Sequence, residues 1–364
     1  MSKLQYKSST LAAMRQWPSP LLVVLLSALI GSPASSAEAA VDPLFADDAP
    51  LELTLNAPIR AITRDRAAEP EDRPARLGYT DAAGNEIWLD IGLRARGKSR
   101  RDKEACQFPP LRVNIKTKQA AKSIFMHQDK LKLVTHCKKS SRYSQYLLLE
   151  YQTYKILNLL TDNSYKVRFV RVNYLDGDKD LGTFSGFFIE HKNRLAKRIN
   201  RKVAEPISIE GGQLENEYTS IAELFQLMIG NTDFSFVKGP QGDVCCHNIV
   251  LYEDNGKFQP IPYDFDATGL VNPPYAAPNE ALRLSSVTKR LYRGFCRSDE
   301  VFKNASDQFQ TKKAAIYELF SENENMGLTK RTGDKAKKYL DGFYAIIENP
   351  KQIDRKISKK CRSA

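Results

Sequence analysis

The chain has 364 residues, 42% of them hydrophobic and 27% charged, with a formal net charge of +12 at pH 7. That length can bury a substantial core as one large domain or two lobes, and those fractions exclude an intrinsically disordered chain. The positive balance favours anionic partners, but the basic residues are scattered and build no recognisable nucleic-acid module, so no nucleic acid is expected.

In chain order, Lys3, Lys7 and Arg15 precede the apolar run "LLVVLLSALIG", which gives way to "SPASSAEAA". A basic start, a short apolar centre and a small-residue stretch predict a signal peptide over 1–40, cleaved near Ala37 or Ala40. The run is too short for a comfortable membrane span and no comparable segment follows, so the mature chain is expected to lack a transmembrane span. The expected location is periplasmic or secreted. Cleavage removes three cations and Glu38, leaving about +10. In an oxidising compartment Cys106, Cys137, Cys245, Cys246, Cys296 and Cys361 are expected in disulfides. Cys106 with Cys137 is the expected first bridge, and the adjacent Cys245 and Cys246 are expected to bond to different partners. A metal site at "CCH" lacks a second pair at ligand spacing.

The mature chain opens with a strand, "LELTLNA", and an acidic, Pro-containing loop. A hairpin follows over "ARLGYTDAAGNEIWLDIGLRARGKS", then strands at "PPLRVNIK" and "KLKLVTHC". Tyr143 to Leu160 has helical periodicity, and "VRFVRVNYL" with "GTFSGFFIEH" reads as a second hairpin. Beyond "EPISIEGGQ", "SIAELFQLMIGN" is an amphipathic helix and "HNIVLYEDNGKFQPIPYDFD" is a hairpin turning at Asn-Gly. The remainder is mostly helical, notably "KAKKYLDGFYAIIEN", and the basic tail after Asp354 is expected to fray. The fold class is therefore α+β: a strand-rich N-lobe over 41–212 and a mostly helical C-lobe over 213–364.

Three segments carry chemistry: "GNTDFS", "CHNIVL" and "PYDFD". Each puts a polar residue where a helix or strand ends, and the last two flank one tight hairpin. Asp233, Asn248 and Asp264 thus offer a carboxylate base, an amide oxygen and a carboxylate ligand in the order phosphoryl transfer requires. Hard oxygen ligands suit Mg²⁺ or Mn²⁺, which neutralises charge developing in transfer. Asp264 and Asp266 are also where turn acids commonly sit, and Asp233 is where a helix end is commonly capped.

With these segments the chain resembles the CotH-type kinases, the spore-coat protein H family, an atypical branch of the kinase-like fold. The resemblance extends to "LRARGKSRRD…FPPLRVNIK" and to "VRFVRVNYLDGDKDLGTFSGFFIEHKNRL". It implies a bilobal kinase-like fold with ATP as co-substrate, Asp233 as catalytic acid or base, and Asn248 and Asp264 as metal ligands, with Asp266 a second candidate. Tyr263 stands where the family commonly has tryptophan. No glycine-rich loop is present, and "RARGKSRR" is the nearest substitute, with Arg96, Gly97 and Ser99 as phosphate contacts. The nucleotide lysine is Lys116 first and Lys132 second, and its glutamate partner is Glu150 or Glu190. The expected function is exported phosphotransfer to a protein or small-molecule hydroxyl. The rival is a non-catalytic module that binds an anionic envelope or surface component. A metal-dependent hydrolase on the same acids is a weaker third, since no His-rich metal motif supports it.

Overall fold

The computed structural model describes residues 41–97, 99–240, 243–323 and 325–363. The expected signal peptide and its cleavage site lie outside the described residues. Seven strands close into a barrel: β1 (Leu51–Asn56), β2 (Arg73–Thr80), β3 (Glu86–Ala95), β4 (Leu111–Ile115), β5 (Lys130–Val134), β6 (Val167–Asp176) and β7 (Lys179–Ile189). Their order is β1-β2-β3-β4-β5-β7-β6, and the barrel shuts where β6 runs parallel to β1. Period-2 alternation decides which side chains enter. In β4, Leu111, Val113 and Ile115 point inward to a core that includes Leu55, Leu77 and Phe188, while Arg112 and Asn114 point outward.

Short helices α1 (Ile59–Arg64) and α2 (Thr117–Ala120) border the barrel. The long α3 (Ser141–Leu160) packs against β6 and β7 and buries side chains from Leu147 to Leu160 on nearly every face. A helix buried all round reads as apolar without a single stripe, as this one does. After α4 (Lys192–Arg198) and β8 (Lys202–Ala204) comes α5 (Asn216–Ile229), buried continuously from Tyr218 to Ile229. Strands β9 (Ile249–Asp254) and β10 (Lys257–Pro262) form the expected hairpin, with β8 added beside β9. Asn255 and Asn-following Gly256 both take positive φ, +49° and +76°, as the tight Asn-Gly turn requires. Helices α6 (Asp299–Glu318), α7 (Lys330–Ile347) and α8 (Pro350–Ile353) complete the chain. A second core joins α3, α5, the β9–β10 hairpin, α6 and α7.

The α+β class is thus observed. Two expectations are corrected. The tail beyond Asp354 does not fray: Asp354–Ser358 forms a helical turn, Ile357 is buried, and Cys361 is joined to Cys296. Cys106 does pair with Cys137, but Cys245 and Cys246 pair with each other, because the other four cysteines are already matched. Three disulfides fit an oxidising compartment. Among the described residues no helix is long and apolar enough to cross a membrane.

Candidate functional site

The loop after α5 is shaped by backbone requirements. Gly230 caps the helix at φ +65°, and a Cβ there would meet the Tyr339 hydroxyl at 2.0 Å, so glycine is needed for both conformation and space. The Asn231 side chain then accepts from the Asp233 amide at 2.9 Å, and Arg293 donates to the carbonyls of Thr232 and Phe234 on either side of Asp233. Ser235 forms an antiparallel bridge with His247, its amide donating to the His247 carbonyl at 3.0 Å. That bridge brings the "GNTDFS" and "CHNIVL" segments together. The ring Nε2 of His247 donates to Asp233 Oδ1 at 2.7 Å, and Asn248 Nδ2 donates to Asp233 Oδ2 at 3.1 Å and to its carbonyl at 2.8 Å. Asp233 is held ionised: the His247 hydrogen bond lowers its pKa, against the opposing effect of burial. Reciprocally, the Asp233 hydrogen bond raises His247.

At the end of β10 the chain turns sharply. Asp264 takes φ +66°, a left-handed conformation that Asp tolerates and most residues avoid. Its amide donates to the buried Tyr154 hydroxyl of α3 at 2.9 Å. Phe265 is fully buried between Tyr154 and Phe225, with ring centroids 4.5 and 5.2 Å away. Anchoring that ring sends its two acidic neighbours opposite ways: Asp264 is exposed to the cavity and Asp266 is buried.

Asp266 forms an ion pair with Arg100 Nε at 3.2 Å and accepts a hydrogen bond from the Tyr275 hydroxyl at 3.1 Å. Arg100 also donates two bonds of 3.3 Å to Glu150 on α3. The result is a buried Glu150–Arg100–Asp266 triad behind the cavity wall. Burial pushes Glu150 up to about 8 against the pull of Arg100, and burial likewise raises Asp266.

The barrel supplies the opposite wall. Register places Arg94 beside Arg112 and Arg112 beside Lys132, a row of three cations across β3, β4 and β5. Like charges side by side on adjacent strands repel. The Lys132 amine lies over the Tyr263 ring, 4.6 Å from its centroid, and burial followed by the charge of Arg96 lowers its pKa to about 7. Arg94, Arg96, Gly97, Ser99, Arg112 and Lys132 line the same cavity of about 960 Å³ as Asp233, His247, Asn248 and Asp264. Gly97 has φ +91° and open space around its Cα, leaving its backbone accessible.

Three expected residues lie outside this cavity: Asp266, buried behind its wall and not open to a metal, Lys116 and Glu190. Lys116 lines a separate open cavity beside Asp72 and Asn114, because it follows β4 beyond the end nearest the acids. Glu190 is bound by Arg198 at 2.8 and 3.1 Å and by the Lys166 amide at 3.0 Å, which commits it to α4. Of the two candidate lysines, Lys132 is the one that lines the cavity with the acids, alongside Arg96, and the cation paired with Glu150 is Arg100. Sequence reasoning did not single out Arg100, Arg293, Tyr154 or Tyr275; "NPPY" soon after "PYDFD" carries no signal that Tyr275 turns back to Asp266.

Asn248 and Asp264 are the oxygen donors open to a cation. With Nδ2 committed to Asp233, the Asn248 Oδ1 is left free, and the Asp264 carboxylate faces the cavity. Among the described residues no three His, Cys, Asp or Glu side chains group as a metal cage. Two protein oxygens suit Mg²⁺, which commonly keeps waters and phosphate oxygens as its remaining ligands. Compared with protein-family models and with curated proteins, the chain matches none.

Proposed function

We propose that the chain is an exported, bilobal, kinase-like phosphotransferase. It takes ATP as donor and a protein or small-molecule hydroxyl as acceptor, and it acts in the periplasm or outside the cell. The observation that carries this reading is one cavity lined by an ionised Asp233, the free oxygens of Asn248 and Asp264, and the cation row Arg94, Arg112 and Lys132. Arg94 is paired with Asp72 at 3.6 Å, which leaves Arg112 and Lys132 as the neighbours whose repulsion a bound polyanion would relieve, and phosphates fit that need.

In the proposed reaction Asp233 accepts a hydrogen bond from the acceptor hydroxyl and orients its oxygen towards the γ-phosphorus. The new P–O bond forms as the bond to the β-phosphate oxygen breaks, ADP leaves with that electron pair, and the hydroxyl proton passes to Asp233. His247 and Arg293 hold the Asp233 loop in position. Arg96, Lys132 and the backbone at Gly97 bind the phosphates. Asn248 and Asp264 would hold Mg²⁺, which when bound neutralises charge on the phosphates. Asp266 orients the turn through Arg100.

The non-catalytic reading draws support from the excess of cations and the lack of a glycine-rich loop. Thermal shift with ATP, with and without Mg²⁺, on the mature disulfide-bonded protein and on Asp264→Ala separates these readings, with radiolabelled transfer as the second readout. A Mg²⁺-dependent stabilisation lost in Asp264→Ala is expected. Equal ATP binding in both proteins, or Mg²⁺-independent binding without transfer, would sink the enzyme reading.

A further inference from the structure

The last residues of the chain reach the segment that braces Asp233. Arg362 forms a parallel bridge with Phe295: its amide donates to the Gly294 carbonyl at 3.0 Å, and its carbonyl accepts from the Cys296 amide at 2.9 Å. Its guanidinium donates to the Arg293 carbonyl at 2.6 Å and lies 4.7 Å from the Phe295 ring centroid. One residue earlier, the Cys361–Cys296 disulfide clamps the same junction. Terminal residues are ordinarily poorly ordered unless something ties them down. Apolar burial does not tie this end, since Cys296, Arg362 and Ser363 are exposed. Hydrogen bonds and the disulfide do.

The segment so gripped carries Arg293. One nitrogen of its guanidinium donates to the carbonyls of Thr232 and Phe234, the latter at 2.7 Å, and the group lies 5.0 Å from the Phe234 ring centroid. The planar peptide that enters Asp233 and the one that leaves Phe234 are both fixed in this way, which leaves Asp233 little freedom to swing. On its other side the segment is anchored to α5. The buried Glu223 carboxylate accepts from the Tyr292 hydroxyl at 2.9 Å, the Phe295 amide at 3.0 Å and Arg297 at 3.0 Å. Gly294 has no room for a side chain, since a Cβ there would meet Glu223 Cδ at 2.6 Å and the Tyr292 hydroxyl at 2.5 Å. The Arg293 and Gly294 carbonyls are taken by Arg362, so the tail sets where the Arg293 backbone sits.

We propose that Arg362 is a positioning residue for Asp233, acting through Arg293, and that the Cys296–Cys361 bridge is the clamp that keeps it in place. Its meaning for catalysis rests on the phosphotransfer reading, but its test needs no turnover. Amide hydrogen exchange of the mature, disulfide-bonded protein, read by mass spectrometry, follows the peptide 231–236, where the Ser235 amide donates to the His247 carbonyl. Arg362→Ala should quicken exchange in that peptide by about tenfold, and the double variant Cys296→Ala, Cys361→Ala by at least as much. Arg362→Lys, which keeps a donor for the Arg293 carbonyl, should retain most of the protection. The control is Cys106→Ala with Cys137→Ala, which removes a bridge from the barrel and should leave the peptide within about twofold of wild type. Arg293→Met should quicken the peptide by itself, and adding Arg362→Ala to it should change little more, as expected of two residues on one path. Unchanged exchange in Arg362→Ala overturns the proposal. So does equal quickening in the barrel control, which would mark a general loss of stability, or full additivity of Arg293→Met and Arg362→Ala. An absence of transfer in the wild type would sink the proposed function and leave this result standing, whereas transfer with an unmoved peptide would sink the positioning role alone.

Discussion

Replacing Arg100 by Met tests whether the buried triad holds the site together. The substitution keeps much of the side-chain length but removes two charge-assisted hydrogen bonds of 3.3 Å to Glu150 and an ion pair of 3.2 Å with Asp266. It leaves two carboxylates facing each other at side-chain exposures of 2% and 11%. Removing one partner of a buried ion pair costs about 3–5 kcal/mol, and here one cation serves two anions, which points to the upper end. Against a total of about 5–15 kcal/mol for a typical fold, that loss is large. The pH dependence has a definite sign. Burial already raises both carboxylates, and Arg100 is what opposes the rise. Without it their folded pKa values climb further, so the folded variant binds more protons than the folded wild type, and its deficit shrinks as pH falls. Urea unfolding followed by circular dichroism at pH 9 and 6, on either side of the Glu150 value of about 8, with disulfides intact, should show the larger cost at the higher pH and a smaller one at the lower. Adding Glu150→Gln to Arg100→Met should recover part of the loss. A cost under about 1 kcal/mol at pH 9, or one that stays constant or grows at pH 6, would refute the reasoning.

Four further outcomes can be checked. Lys132 titrates near 7 in the folded state, below its ordinary 10.5, so the unfolded chain binds the extra proton between those values and Lys132 contributes stability that increases with pH across that window. Lys132→Met should flatten that component in urea titrations, and bound ATP should move the lysine pKa upward by NMR. His247 is raised above 6.5 by Asp233, so its contribution is present below 6.5 and is lost as pH rises through the raised value; Asp233→Asn should bring its imidazole titration back down. Phe265→Ala empties a fully buried ring site between Tyr154 and Phe225 and should cost about 3–5 kcal/mol, with Mg²⁺–ATP stabilisation lost even where the variant remains folded. Removing the Cys296–Cys361 bridge by double Ala substitution opens a loop with a sequence separation of 65, for a loss of about 4 kcal/mol on loop-closure entropy, measured by the same unfolding curves.

What could be read from the sequence was local. Strand alternation and helical spacing placed β1 to β7, α3, α5 and the β9–β10 hairpin close to where they lie, because each pattern is set by neighbours in the chain. Closure of the barrel was not legible, since it depends on the parallel pairing of Leu51–Asn56 with Val170–Leu175, more than a hundred residues later. The short α1 was hidden for another reason: six residues carry too little periodicity to separate a helix from a loop. The cysteine pairing was half legible. Cys106 and Cys137 sit on segments that pair as strands do, whereas nothing local says that Cys245 will bond to its own neighbour.

The same distinction explains the site. Asp233, Asn248 and Asp264 follow from chain order because a helix end, a strand start and a strand end are sequence features, and one bridge between Ser235 and His247 then gathers them. The cations follow from register, which a sequence does not print. Shifting β5 by one residue against β4 would turn Lys132 into the barrel and break the Arg94–Arg112–Lys132 row. Leu131 and Leu133, both fully buried, prevent that slip, so the apolar core of the barrel is what aims the cationic row at the cleft. The choice between Lys116 and Lys132 was therefore never a question about motifs. It was a question of which lysine shares a face with its cross-strand neighbours, and Lys116, one residue past the end of β4, has no such neighbour in that row.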